Sequence, residues 1–113
     1  MGRKLRLVHL TPTEEDRLQV FLAAELARRS LAEGLALSAP EAAALVADEM
    51  HLAARRGGSF DDVLDAGRRA VPRERVMDGV PAIVGEVKVE VLLGDGRRLV
   101  VVRPWDAAGD GSA

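Results

Sequence analysis

The apolar positions of this chain change their spacing once. Up to about residue 70 they recur every three or four residues, and from Val87 onward they alternate. The helical part is divided by its own start and stop signals. Thr11-Pro12-Thr13-Glu14 supplies a capping hydroxyl, a proline suited to the first helical position, and a glutamate that can reach back to the cap. This predicts a first helix opening at Thr11 and stopping at Gly34. Ser38 with Glu41 repeats the capping box, and Pro40 again falls in the first turn, so a second helix should span about 40–56 before Gly57-Gly58 end it. Ser59 with Asp62 opens a third, through Phe60, Val63, Leu64 and Ala66 to about Ala70. Residues 72–78 read as a short fourth turn closed by Gly79.

Two apolar stripes run along the first helix. Leu18, Phe21, Leu22 and Leu26 form the bulky one, and Val20, Ala24, Ala27 and Leu31 the smaller. The bulky stripe is expected to face the core, and the small-residue stripe a second chain that approaches closely. The inner face of the second helix is read as Ala42, Leu45, Val46, Met50 and Ala53. Beyond Pro81, Val87, Val89 and Val91 alternate with Lys88 and Glu90, and residues 99–103 are rich in β-branched side chains. Gly94-Asp95-Gly96-Arg97 lies between these runs and favours a tight hairpin turn. The expected fold is α+β, three to four helices followed by a C-terminal antiparallel β-hairpin that packs on them. The domain covers residues 10–104. A basic extension, 1–9, admits a short strand, and 105–113 read as a flexible tail.

Composition narrows the function. In a chain of 113 residues with 48% hydrophobic content, the only aromatic side chains are Phe21, Phe60 and Trp105. The core is therefore aliphatic and thin, and such a domain gains by covering its remaining apolar surface with partners. A net charge of −2 argues against a nucleic-acid binder. Arg3, Lys4 and Arg6 near the start and Asp106 and Asp110 in the tail read as solvated ends. Without cysteine there is no disulfide, thiolate nucleophile or zinc–cysteine site. No apolar run reaches the roughly 20 residues of a membrane span, and no signal peptide is recognisable, so a cytoplasmic location is expected.

Candidate chemistry is sparse. His9 and His51 are the only imidazoles. Asp48 and His51 share a helix face at i, i+3 spacing and could form half of a weak metal site, but they read better as an exposed polar edge. Glu14-Glu15-Asp16 and Asp61-Asp62 complement helix dipoles in first turns, where contiguous carboxylates cannot serve as an opposed acid–base pair. Gly57-Gly58-Ser59 lacks the lysine and preceding strand of a phosphate loop and reads as one helix stop followed by the next cap. Arg28-Arg29, Arg55-Arg56 and Arg68-Arg69 suit helix C-termini, with ion pairing to a partner subunit as the other reading. No catalytic, cofactor-binding or metal residue is assigned.

In order and spacing these signals resemble the urease gamma-subunit family. The residues that carry the likeness are Leu10-Thr11-Pro12-x-Glu14, Ala27-Arg28-Arg29, Gly34-Leu35-x-Leu37-x-x-Pro40-Glu41-Ala42, Val76-Met77-Asp78-Gly79-Val80-Pro81, Val87-x-Val89-Glu90, Asp95-Gly96 and Leu99-Val100. They extend from about residue 10 to 102. Thr13 stands where the family commonly has Arg, Ser38-Ala39 where it has Asn-Tyr, Leu52-Ala53 where it has Glu-Gly, and Arg103 near a usual histidine. The resemblance implies a non-catalytic, structural subunit of a urea amidohydrolase that releases ammonia and carbamate. It implies alpha and beta partner subunits in a threefold hetero-oligomer, with two nickel ions in the alpha subunit and none here. The tail is then either a natural terminus or the cut linker of a gamma–beta fusion. The runner-up is a divergent free-standing scaffold or regulatory protein of the same fold. A small DNA-binding helical domain using Arg55, Arg56, Arg68 and Arg69 is disfavoured by the net charge.

Overall fold

The computed structural model describes residues 10–105. The basic extension with His9 and its candidate strand, and the tail from residue 106, lie outside the described residues. Within them the chain forms α1 (Pro12–Ala32), α2 (Ala39–Arg55), α3 (Phe60–Arg69), a 3-10 turn (Arg73–Arg75), α4 (Val80–Val84), β1 (Val87–Leu93) and β2 (Gly96–Val102). This is the expected α+β order of helices followed by an antiparallel hairpin.

All three long helices start where their caps place them. Thr11 Oγ1 accepts from Glu14 N at 3.1 Å while Glu14 Oε1 accepts from Thr11 N at 2.8 Å. Ser38 with Glu41 and Ser59 with Asp62 repeat this reciprocal pair, so donors that the first helical turn would leave unpaired are satisfied locally. The sequence reading does not foresee α4. It also misses the parallel bridge between Leu37 and Val76. Leu37 N donates to Arg75 O and Leu37 O accepts from Met77 N, each at 2.9 Å, which ties the α1–α2 loop to the segment beyond the 3-10 turn. Arg75 adds a bond from Nη2 to Leu31 O at 2.8 Å, a carbonyl at the end of α1 that also accepts from Gly34 N at 3.0 Å.

Around α2 the other elements assemble: it packs against α1, α3, α4 and β1, while β2 rests on α3. Ala42, Leu45, Val46 and Met50 of α2 are buried and Ala53 partly so, as its periodicity predicts. The hairpin pairs Val87 with Val102 and Leu93 with Gly96. Gly94 and Asp95 form the loop, and the positive φ that this turn requires falls on Gly96, at 116°. Val87, Val89, Val91 and Leu93 face inward with Val100 and Val102. Gly67, inside α3, is a packing requirement. A Cβ there would come within 3.0 Å of Met50 Cγ and Val102 Cγ1, so the missing side chain lets α3 approach both α2 and β2. Trp105, read from the sequence as the first residue of the flexible tail, instead closes the domain, because its Nε1 donates to Val71 O at 2.8 Å and its ring packs at the edge of the core.

The assignment of the two stripes on α1 is overturned. Ala24 and Ala27 are fully buried, with Val20 and Leu31 half-buried beside them. Leu22 is 65% and Leu26 58% exposed, with Leu18 and Phe21 also outside. The reason is geometric. α1 lies chiefly against one element, α2, and two helices pack closest where small side chains meet, so the alanines turn inward and no element among the described residues covers the bulky stripe. Ala24→Asp is therefore expected to unfold the domain by burying an unpaired charge, whereas Leu22→Asp should keep the native circular dichroism spectrum. Thermal melts of both variants test the orientation, and the opposite pattern would restore the stripe assignment drawn from the sequence.

Candidate functional site

Two features of the described residues stand apart from ordinary core packing: a buried charge cluster between α1 and α2, and apolar side chains left on the surface. The cluster centres on Asp48, which is 1% exposed. Its Oδ2 accepts from Arg28 Nη2 at 2.6 Å, and the same nitrogen reaches Glu49 Oε2 at 2.8 Å. Arg28 Nη1 binds Glu25 on its own helix. Arg17 Nη1 lies 2.8 Å from Asp48 Oδ1, yet neither atom has an aligned hydrogen bond among the described residues; charge rather than bond geometry holds this contact. Arg17 and Arg28 stand about three turns apart on α1 at 3.6 residues per turn, so both reach the same side of the helix.

Electrostatics follow from this geometry. Burial works against the charge of Arg28, but its hydrogen bonds to Glu49, Asp48 and Glu25 outweigh that and raise its pKa further. The arginine stays a cation and the buried carboxylate keeps its counterions. His51 moves the other way: burial first, and then the charge of Arg17, lower its pKa against the opposing pull of Asp48. At neutral pH the imidazole is uncharged.

The placing of Asp48 and His51 on an exposed polar edge is thus corrected for both: Asp48 is buried and His51 half-buried. That carboxylate is one of the most buried polar groups of the fold, because α1 lies over it and supplies two guanidiniums. These residues do not fit a nickel ion. Both Asp48 oxygens face arginine cations, and the partner imidazole lies in the field of Arg17, which repels a divalent metal. Among the described residues no three of His, Asp and Glu come together closely enough to hold one. No step of chemistry is assigned to the cluster; it braces α1 on α2. Arg17 escaped the sequence reading, although its three-turn spacing from Arg28 is a signal that could have found it.

Beside the cluster a cleft of about 530 Å³ opens between α1, the end of α2 and β1, where Arg17 and His51 meet Glu90 and Leu92. Thr13, one of the departures from the family pattern, lines its rim. Of the others, Ala39 and Leu52 are half-buried in α2, and Arg103 is exposed, with Nη1 3.6 Å from Glu86 Oε1. The arginine pairs divide. Arg28 belongs to the brace and Arg69 bridges Asp65 at 2.8 Å, while Arg29, Arg55, Arg56 and Arg68 are exposed. Ser59 caps α3, as read from the Gly57-Gly58-Ser59 loop.

Exposed apolar side chains fall mainly on two surfaces. One is the outer stripe of α1. The other is the outward face of the hairpin, where Leu92 is 70% exposed beside Leu99 and Val101, with Ile83 of α4 also open to solvent. Leu92 pairs across the ladder with Arg97 and Leu99 with Glu90, which makes Leu92 and Leu99 diagonal neighbours on one face. No helix among the described residues is long and apolar enough to cross a membrane.

Two expectations follow from the cluster. Asp48→Asn should lower stability in chemical denaturation by about 2–3 kcal/mol, below the range for a fully buried pair because both arginines are partly exposed; an unchanged midpoint would show that the brace contributes nothing. His51 has its own signature. Because its folded pKa is depressed, the unfolded chain binds more protons just below the ordinary histidine value of about 6.5, so the contribution of His51 is fully present above that value and is lost as pH falls through the window beneath it. Thermal midpoints measured from neutral to mildly acid pH should fall less steeply for His51→Gln than for the wild-type chain.

The helix order, the capping boxes, the Gly-terminated turns and the terminal hairpin agree with the residues that carry the resemblance. The family model described as urease, gamma subunit, matches residues 8–104, nearly the whole described domain. The chain belongs to the urease gamma-subunit family.

Proposed function

We propose that this chain is the structural gamma subunit of a nickel-dependent urease, the cytoplasmic hydrolase that converts urea to ammonia and carbamate. In this reading it joins alpha and beta subunits in a threefold hetero-oligomer, and the two nickel ions that activate water belong to the alpha subunit. Its own contribution is assembly. Family membership supports a place among urease subunits. The observation that carries the assembly role is the outer face of the hairpin, where Leu92, Leu99 and Val101 stand exposed. Large aliphatic side chains grouped on one face of a small domain favour contact with a partner. The charged residues interleaved with them, Lys88, Glu90 and Arg97, suit the polar margin of such a contact.

The experiment is affinity purification of the tagged chain from its native host, with mass spectrometry of what accompanies it and an assay for ammonia release. Stoichiometric recovery of a large nickel-containing hydrolase subunit, with activity in the complex and none in the chain alone, is expected. Recovery of the chain without such a subunit would favour the free-standing scaffold. Leu99→Asp should leave the fold intact and reduce co-purification by at least about tenfold, since it places a charge where an apolar contact is desolvated; full recovery of the complex with this variant would remove the hairpin face from the interface.

A further inference from the structure

The outer stripe of α1 has an internal symmetry that the hairpin face lacks. Glu15, Leu18, Leu22, Leu26 and Arg29 all lie on the side opposite the buried Ala24 and Ala27, within about 80° of arc at 3.6 residues per turn. Leu18 and Leu26 stand four residues on either side of Leu22, and Glu15 and Arg29 seven. The stripe therefore reads acid, leucine, leucine, leucine, base about its centre. All five side chains are exposed, and neither Glu15 nor Arg29 takes part in an ion pair among the described residues. The cluster on Asp48 uses the other side of the helix and leaves this one free.

We propose that this stripe binds the same stripe of a second copy of the chain, the two α1 helices running antiparallel about a twofold axis through Leu22. That arrangement sets Leu22 against its counterpart, Leu18 against Leu26 at both ends, and Glu15 against Arg29 twice. A twofold contact must be self-complementary, and a sequence symmetric in size and antisymmetric in charge about one residue meets that condition. A parallel pair would place Glu15 on Glu15 and Arg29 on Arg29, so the charges select the antiparallel one. Helices packed in this way cross at a shallow angle, which allows the whole stripe to take part. The hairpin face lies on other elements, and only Leu18 of the stripe shares a cleft with it, opposite Leu92.

The test is analytical ultracentrifugation of the chain alone over a range of concentrations and salt, with circular dichroism to confirm folding. The wild-type chain is expected to dimerise, more weakly as salt rises. Leu22→Asp should be a folded monomer. Glu15→Arg and Arg29→Glu should each weaken the dimer about tenfold, because each turns two attractions into two repulsions between exposed charges. An equimolar mixture of these two variants should recover wild-type affinity as a heterodimer, since opposite charges then face each other at both ends. The charge variants lie outside the core, so the test stands even if Leu22→Asp misfolds. A wild-type chain that stays monomeric at every concentration overturns the proposal, as does a mixture no tighter than its components. So would a chain that is monomeric alone but loses its urease partners on Leu22→Asp, because the stripe would then belong to a different subunit.

Discussion

Burying a carboxylate costs several kcal/mol unless cations meet it in the interior, and in this domain α1 brings two to Asp48. Arg28 bonds it on one side and Arg17 lies against the other. The cost of separating these groups constrains how α1 can lie on α2. With Arg17 and Arg28 fixed on the flank of α1 that faces Asp48, the rotation of the helix about its axis is set. Ala24 and Ala27 must then point at α2. The leucines must point away.

That rotation reverses the usual economy of a small domain. A chain this poor in aromatic residues would be expected to bury its largest aliphatic side chains, yet its longest helix contributes alanine to the interior and leucine to the surface. Stability comes instead from α2, enclosed by helices and β1, and from close approaches such as Gly67 against Met50 and Val102. The bulky residues are left at the surface. A helix packed by small side chains and an ion cluster can remain folded while it presents an apolar face, which suits the assembly role proposed above.

The hairpin follows the same logic with a different period. Its inward valines complete the core and its outward leucines remain exposed because strand alternation sends every second residue to the opposite face. The hairpin is held at both ends. Arg98 stacks over the Phe60 ring at 4.7 Å and bonds Asp95 at 2.9 Å, so one of the few aromatic residues serves to attach the turn to the start of α3. Trp105 attaches the other end, through Val71.

The sequence alone determined what depends on near neighbours. The three capping boxes, the starts of the long helices, the inner face of α2, the alternation of β1 and the hairpin were legible because each rests on residues a few positions apart. So was the family, from the same motifs in order. Only the tertiary structure decided which face of α1 is inside, that Asp48 is buried rather than an exposed edge, that Leu37 bridges to Val76, and that Gly67 marks a close approach. Each of these joins residues distant in the chain. The periodicity of α1 reveals two apolar faces, but choosing between them requires knowing that a single helix covers only one of them and that the arginines on its flank must reach one buried carboxylate on α2.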